Sequence, residues 1–347
     1  MSKTRTEINT LGEFGLIEHL NQNNTLFHEH SLTRKAIGDD AAVLQKTEQE
    51  SWLVSTDLFI EGIHFDLAYA PLKNIGYKAV TINLSDIAAM NAIPSQITVS
   101  IAVSNRFSVE ALEELYEGIK TACKQYQIDL IGGDTTASQA GLIISITAMG
   151  VANNDKISYR NGAKANDIIC VSGDLGGAYM GLQVLIREKE VWLANPQMQP
   201  QLTDFQYIVG RQLKPEPRTD IIKELAKNNI VPTSMIDISD GLASEMMHIC
   251  QQSNVGALIV GDRIPIHEKT YETALSMQIN PLTAALNGGE DYELLFTIAQ
   301  KDYAALENHP NITPIGYITT PEKGIYLQTP QDTTVPIQAQ GWNHFQK

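Results

Sequence analysis

Six short segments of this chain join acidic residues, mostly Asp, to Gly, Ser or Thr at the ends of apolar stretches, and they restrict its fold more than any other feature. They are Gly38-Asp39-Asp40-Ala41, Ser55-Thr56-Asp57, Asn83-Leu84-Ser85-Asp86, Gly132-Gly133-Asp134-Thr135-Thr136, Asp237-Ile238-Ser239-Asp240-Gly241 and Gly288-Gly289-Glu290-Asp291. A solvated acidic face would mix Glu with Lys along helices. These segments contain no Lys, and they are expected where strands hand over to loops. A single Asp beside Gly is ordinarily a turn or a helix cap. Several that converge would repel one another unless cations neutralised them. Short carboxylates with neighbouring hydroxyls and carbonyls are hard oxygen ligands of the kind that suits Mg²⁺. The chain is therefore expected to gather its acids around a shared cation centre.

The 347 residues carry 25 Lys+Arg against 40 Asp+Glu, a formal charge of -15. Such a surface repels phosphodiester backbones and argues against a nucleic-acid partner. Phosphate ligands stay compatible when divalent cations stand between them and the acids. The longest apolar run, around Leu142 to Ala152, is too short for a bilayer, and the N-terminal residues lack the apolar core of a signal peptide. Cys123, Cys170 and Cys250 form no CxxC and no even-numbered framework, so neither a disulfide scaffold nor a zinc site is expected. A cytoplasmic enzyme is the expectation. The sequence also lacks GxxxxGK[ST], a GxGxxG turn after a strand, and HExxH; Asp237-x-x-Asp240-Gly241 lacks the alternate ligands of an EF-hand. Any nucleotide is held without a P-loop.

The first half alternates strand-like and helix-like stretches. Trp52 to Thr56, Ser95 to Val103 and Leu142 to Val151 read as strands; Asn74 to Ala92 reads as a helix, and Ser108 to Tyr126 as a helix capped by Ser108. The pattern restarts after the polar run Asn153-Asn154-Asp155-Lys156, which sets an expected boundary between a domain of residues 1–155 and one of 156–347. There Asp167 to Ser172 is strand-like and leads through a glycine-rich turn into a helix, Tyr179 to Arg187. Glu188 to Asp204 reads as an exposed excursion, and Thr219 to Lys227 as a helix after Pro215-Glu216-Pro217. The turn Ser172 to Ala178 is open to two readings: backbone N–H groups presented to a phosphate, or a tight turn with close helix packing. By default, His64 is a structural histidine, Trp342 a tail anchor, Arg160 a surface residue and Tyr116 a flank of its helix's core.

In order, these segments resemble the thiamine-monophosphate kinase family, within the superfamily of aminoimidazole ribonucleotide synthetase, selenophosphate synthetase and the hydrogenase-maturation protein HypE. The similarity runs from Gly12-Glu13-Phe14-Gly15-Leu16-Ile17 to Gly341-Trp342-Asn343-His344-Phe345. It is most specific at Ser55-Thr56-Asp57, Gly62-Ile63-His64-Phe65, Asn83 to Met90 and Gly288-Gly289-Glu290-Asp291-Tyr292-Glu293-Leu294. The resemblance implies a mixed α/β (α+β) fold of two domains, an N-terminal mixed sheet with helices and a C-terminal α+β domain, paired in a homodimer. It implies transfer of phosphate from ATP to thiamine monophosphate with several Mg²⁺ ions. By motif position Asp40, Ser55, Thr56, Asp57, Asp86, Asp134, Asp237 and Asp240 would hold metal. Tyr116, Gly133, Asp134, Arg160 and Ser239 would contact ATP, and His64, Glu290 and Trp342 the thiamine substrate. Family members often carry an acid and a serine where this chain has Gly177 and Ala178, which leaves only backbone roles to that turn.

The chemistry agrees with that implication. Both reactants are phosphates, and the attacking phosphate oxygen is ionised near neutral pH, so no general base is required and none is assigned. Direct in-line transfer by positioning and charge neutralisation is expected. Another ATP-using member of the superfamily is the nearest alternative. The reactive cysteines expected near the N-terminus of selenophosphate synthetase and at the C-terminus of HypE have no counterpart in this sequence. A non-catalytic sensor could lose metal ligands, yet every position implied by the resemblance is filled.

Overall fold

In a computed structural model, residues 10, 12–22, 32–329 and 332–338 are described. The first unit runs α1 (Gly12–Asn21), β1 (Thr33–Lys35), β2 (Ala42–Gln45), β3 (Glu50–Ile60), α2 (Leu72–Ala89), β4 (Ile93–Val103), α3 (Val109–Tyr126), β5 (Asp129–Ala137) and β6 (Ile143–Asn153). Its strands form one mixed sheet ordered β1-β2-β3-β6-β4-β5, with β4 and β5 parallel and the other neighbours antiparallel. One face buries Leu53, Phe59, Ile97, Val99, Ile101, Ile144 and Ile146 beneath α2 and α3. This is the alternation that period-two side chains impose on a sheet covered on one side.

Helix α3 starts as the sequence predicts, with the Ser108 hydroxyl accepting the Ala111 N–H at 3.3 Å. It packs on α2 through two glycines. A Cβ on Gly76 would lie 2.0 Å from the Leu115 carbonyl oxygen, and one on Gly118 would lie 1.9 Å from that of Lys73. The backbones themselves touch, which holds α2 close against its neighbours. The edge strand β5 is exposed along all nine of its residues.

The second unit runs β7 (Ile168–Ser172), α4 (Gly177–Ala194), α5 (Gln206–Leu213), α6 (Thr219–Lys227), β8 (Ser234–Asp237), α7 (Leu242–Ser253), β9 (Gly256–Val260), α8 (Glu268–Ser276), α9 (Pro281–Asn287), β10 (Leu294–Ile298), β11 (Ile312–Thr319), β12 (Ile325–Gln328) and β13 (Thr334–Pro336). Its sheet is ordered β13-β12-β9-β11-β7-β10-β8, and all five residues of β10 are buried. The units share a seam: Ala88 and Ala89 of α2 pack with Cys170, Met235 and Phe296 of the second sheet. Helix α2 is consequently buried on nearly every side. All three cysteines are free and buried. Among the described residues, no helix is long and apolar enough to cross a membrane.

Two expectations need correction. Helix α4 does not stop at Arg187 but continues to Ala194, so the first part of the expected excursion is helical. No breaker occurs before Pro196, and a helix ends naturally just ahead of a proline. The acids also do not all sit at strand ends. Asp57 lies inside β3, Asp86 inside α2 and Asp134 inside β5.

Candidate active site

Three acids from distant parts of the sequence meet at the seam. Asp40 comes from the loop before β2, Asp86 from α2 and Asp237 from the end of β8. One carboxylate oxygen of each lies within 4.8 Å of the others. Hydroxyl groups position two of them: Ser55 Oγ donates to Asp86 Oδ2 at 2.5 Å, and Ser85 Oγ to Asp237 Oδ2 at 2.6 Å. Asp57 is on the same face of β3 as Ser55, and its charge acts on both Asp86 and Asp237. The Arg160 guanidinium donates twice to Asp40 Oδ1, at 2.5 and 3.2 Å, while its backbone N–H is received by Asp39 at 2.8 Å.

Burial and mutual repulsion leave the cluster short of positive charge. Burial, opposed by Arg160 and reinforced by Asp237, pushes the Asp40 carboxyl up to about 7. Burial likewise raises Asp237 to about 6, against the Ser85 hydrogen bond and Arg160. Asp86 is raised well above the ordinary range by burial and then by Asp57, Asp237 and Asp40. Burial alone would lower the Arg160 pKa, but the Asp40 charge drives it above its usual value. Asp40 Oδ2 is buried and accepts no hydrogen bond. A buried carboxylate oxygen without a partner, amid carboxylates and hydroxyls, fits an oxygen-loving divalent cation.

The loop bearing Asp237, Ser239 and Asp240 is braced by the 288–293 segment. Glu290 N–H donates to Ser239 O at 2.6 Å, Tyr292 N–H to Ile238 O at 2.9 Å, and Ile238 N–H to Glu293 O at 2.7 Å. Glu290 and Tyr292 adopt left-handed backbone, with φ of 58° and 51°; side chains tolerate this only when their surroundings enforce it. The buried Glu245 of α7 accepts the Asp240 N–H at 3.0 Å and the Ser239 hydroxyl at 3.4 Å.

His64, Phe59, Phe65, Tyr69, Asn74, Lys78 and Gln212 line one cavity, and Glu290 bonds two of its walls, Lys78 and Gln212. His64 Nδ1 accepts the Ile60 N–H at 3.0 Å, and its ring lies 5.7 Å from that of Phe59. The glycine-rich turn has an internal partner as well. The Gly176 and Ala178 N–H groups, at the start of α4, both donate to the carboxylate of Asp291, at 2.7 and 3.2 Å. The Asp291 carboxyl group already accepts from two N–H groups at that helix end, which accords with the packing reading of the turn.

Several expected ligands are not brought to the cluster. Thr56 points to the opposite face of β3, where Oγ1 donates to Ile146 O and accepts from Thr147 Oγ1, both at 3.1 Å. Across the sheet, Asp57, Ile146, Val99 and Gly133 share one row, and Leu58, Ser145, Ser100 and Asp134 share the next. Asp134 is thus three strands from β3, about 14 Å, and on the other face. Tyr116 is half-buried against the first core from α3, and Trp342 lies outside the described residues. Residues that the sequence reading missed are Lys78, Gln212 and Glu245. Lys78 was detectable: it falls between Ile75 and Ile82 at helical spacing, on a core-facing stripe.

Residues 38–152 match the family described as AIR synthase related protein, N-terminal domain. The thiamine-monophosphate kinase of Bacillus subtilis (strain 168) is 34% identical over 346 residues, covering 96% of this chain and all of that one. The chain belongs to the thiamine-monophosphate kinase family. The family's Escherichia coli (strain K12) member is 33% identical over 318 residues, covering 89% and 91% of the two chains. Among solved structures, AaThiL complexed with AMPPCP and TMP superposes with a TM-score of 0.81 at 29% identity, over 99% of this chain and 100% of that one. HypE in complex with ATP, at 18% identity and a TM-score of 0.67 over 98% of this chain and 100% of its own, shares the fold.

Proposed function

We propose that the protein transfers the γ-phosphate of ATP directly to thiamine monophosphate, giving thiamine diphosphate and ADP. The observation that carries this reading is the convergence of Asp40, Asp86 and Asp237, one carboxylate oxygen of each within 4.8 Å of the others. It is supported by the full-length likeness to thiamine-monophosphate kinases and by the AMPPCP and TMP held in the similar solved structure. Asp40, Asp86 and Asp237, with Asp57, Ser55 and Asp240 nearby, would hold Mg²⁺, and Thr56 would contribute through its main chain. Bound Mg²⁺ supplies charge neutralisation between two polyanions. The chain's own part is to position. Arg160 and Ser239 bind ATP, and His64, Glu290 and Trp342 bind thiamine monophosphate. The acceptor oxygen is already ionised near neutral pH, so no side chain has to remove a proton.

Asp134, Gly133 and Tyr116 are assigned to ATP, yet Asp134 cannot reach the cluster of its own chain. The reading therefore includes a homodimer in which the exposed β5 of one copy completes the nucleotide site of the other. Leu130 and Ile131, 38% and 55% exposed on that edge, support a covered interface. Free buried cysteines and the acidic surface accord with a reducing, cytoplasmic setting, without nucleic-acid or membrane partners.

Incubating the purified protein with ATP, Mg²⁺ and thiamine monophosphate should yield thiamine diphosphate. No product at any Mg²⁺ concentration would overturn the assignment.

A further inference from the structure

Lys78 lies in the middle of α2 and is 4% exposed. A lysine is almost never buried to that extent without partners. Its ammonium donates to the Gln212 carbonyl oxygen at 2.9 Å and pairs with Glu290 Oε1 at 3.0 Å. Gln212 in turn donates its side-chain N–H to Glu290 Oε2 at 2.7 Å. Both oxygens of the Glu290 carboxylate are therefore fixed by a closed three-residue ring. The same residue is fixed at its backbone, in left-handed conformation, through the 2.6 Å bond from its N–H to Ser239 O. Three separate segments meet at one acid: α2, α5 and the 288–293 loop. Because α2 also carries Asp86, eight residues further on, the lysine ties the acid to the helix that holds the metal cluster.

We propose that Lys78 is a positioning residue for the substrate acid: with Gln212 it fixes the orientation of the Glu290 carboxylate and so governs the grip on thiamine monophosphate. This rests on the kinase reading, in which Glu290 contacts that substrate. Lys78 lines the cavity, but its ammonium is directed at Glu290 and Gln212, so its effect on the substrate passes through them. The carboxylate keeps free lone pairs for a ligand while both of its oxygens are held.

The test measures thiamine monophosphate affinity by calorimetry without ATP, alongside steady-state kinetics. Lys78→Met should weaken that affinity, and raise KM for thiamine monophosphate, roughly tenfold or more, the scale of a lost hydrogen bond to a charged group. KM for ATP should move much less. Lys78→Arg, which keeps the charge, should recover part of the loss. Removing Lys78 alone leaves the partly buried Glu290 carboxylate without its cation, so Lys78→Met is also paired with Glu290→Gln. The double variant should fold, and bind thiamine monophosphate no more weakly than the worse single variant. Equal changes in both KM values, fully additive losses in the double variant, or a lower melting temperature with unchanged affinity would each overturn the proposal. Normal thiamine monophosphate binding that depends on Lys78, in a protein that makes no thiamine diphosphate, would sink the kinase reading alone. No binding by the unaltered protein would sink both.

Discussion

At Asp40, Asp86 and Asp237, burial raises the carboxyl pKa and neighbouring acids add to it. Their folded-state values exceed the ordinary 3.8, reaching about 7 for Asp40 and about 6 for Asp237. The folded chain then binds more protons than the unfolded one between these limits, so stability of the metal-free protein falls as pH rises from about 4 to about 7. A cation that binds only the folded cluster should offset that loss. Thermal melts with and without Mg²⁺ should therefore differ more at about pH 8 than at about pH 5; an equal Mg²⁺ effect at both would contradict the cluster's role. Asp57→Asn should lower kcat while leaving cooperative unfolding intact, read from paired assays and denaturant melts. The convergence of Asp40, Asp86 and Asp237 was legible in the sequence because short Asp segments recur beside hydroxyl and glycine residues. The place of Lys78 on a core-facing stripe was legible too, but not its partners, Gln212 and Glu290, which lie more than a hundred positions away.

Helix α2 holds Lys78, Ser85 and Asp86 on one rigid body, and its placement depends on backbone contact with α3. Gly118→Ala would force a methyl group to within 1.9 Å of the Lys73 carbonyl oxygen, so the helices must separate. We expect a loss of about 1–3 kcal/mol or more, measured by urea unfolding, together with reduced turnover because Asp86 moves with α2. Unchanged stability would mean that the helices can part without cost. The helices and strands themselves were largely readable: Ser108 as a cap and the alternation at Ile97, Val99 and Ile101 emerge as expected. The end of α4 was misplaced because Asn195-Pro196 and Pro200 mark a break only from residue 195 on; before it Glu188 turns inward, and its carboxylate accepts the Gln201 N–H at 2.9 Å. Interior positions such as Gly76 and Gly118 carry no pattern that local reading can detect; their meaning depends on which helix lies opposite.

For the whole molecule, the order of strands decides what can assemble. Putting β5 at the edge leaves Ile131 55% exposed, and a charge there should oppose edge-to-edge association. Ile131→Lys should halve the mass seen by light scattering and lower phosphotransfer together; retained activity in a monomer would contradict the shared nucleotide site. Such long-range order was beyond local periodicity, which predicted two units but neither which edge stays bare nor that Asp134 lies across the sheet from Asp57. The ring formed by Lys78, Gln212 and Glu290 adds a mechanical consequence. It stitches the first unit to the second at Glu290. A swing that parted the units along this line would have to unfasten that stitch first, so Glu290 would lose its orientation in the same movement.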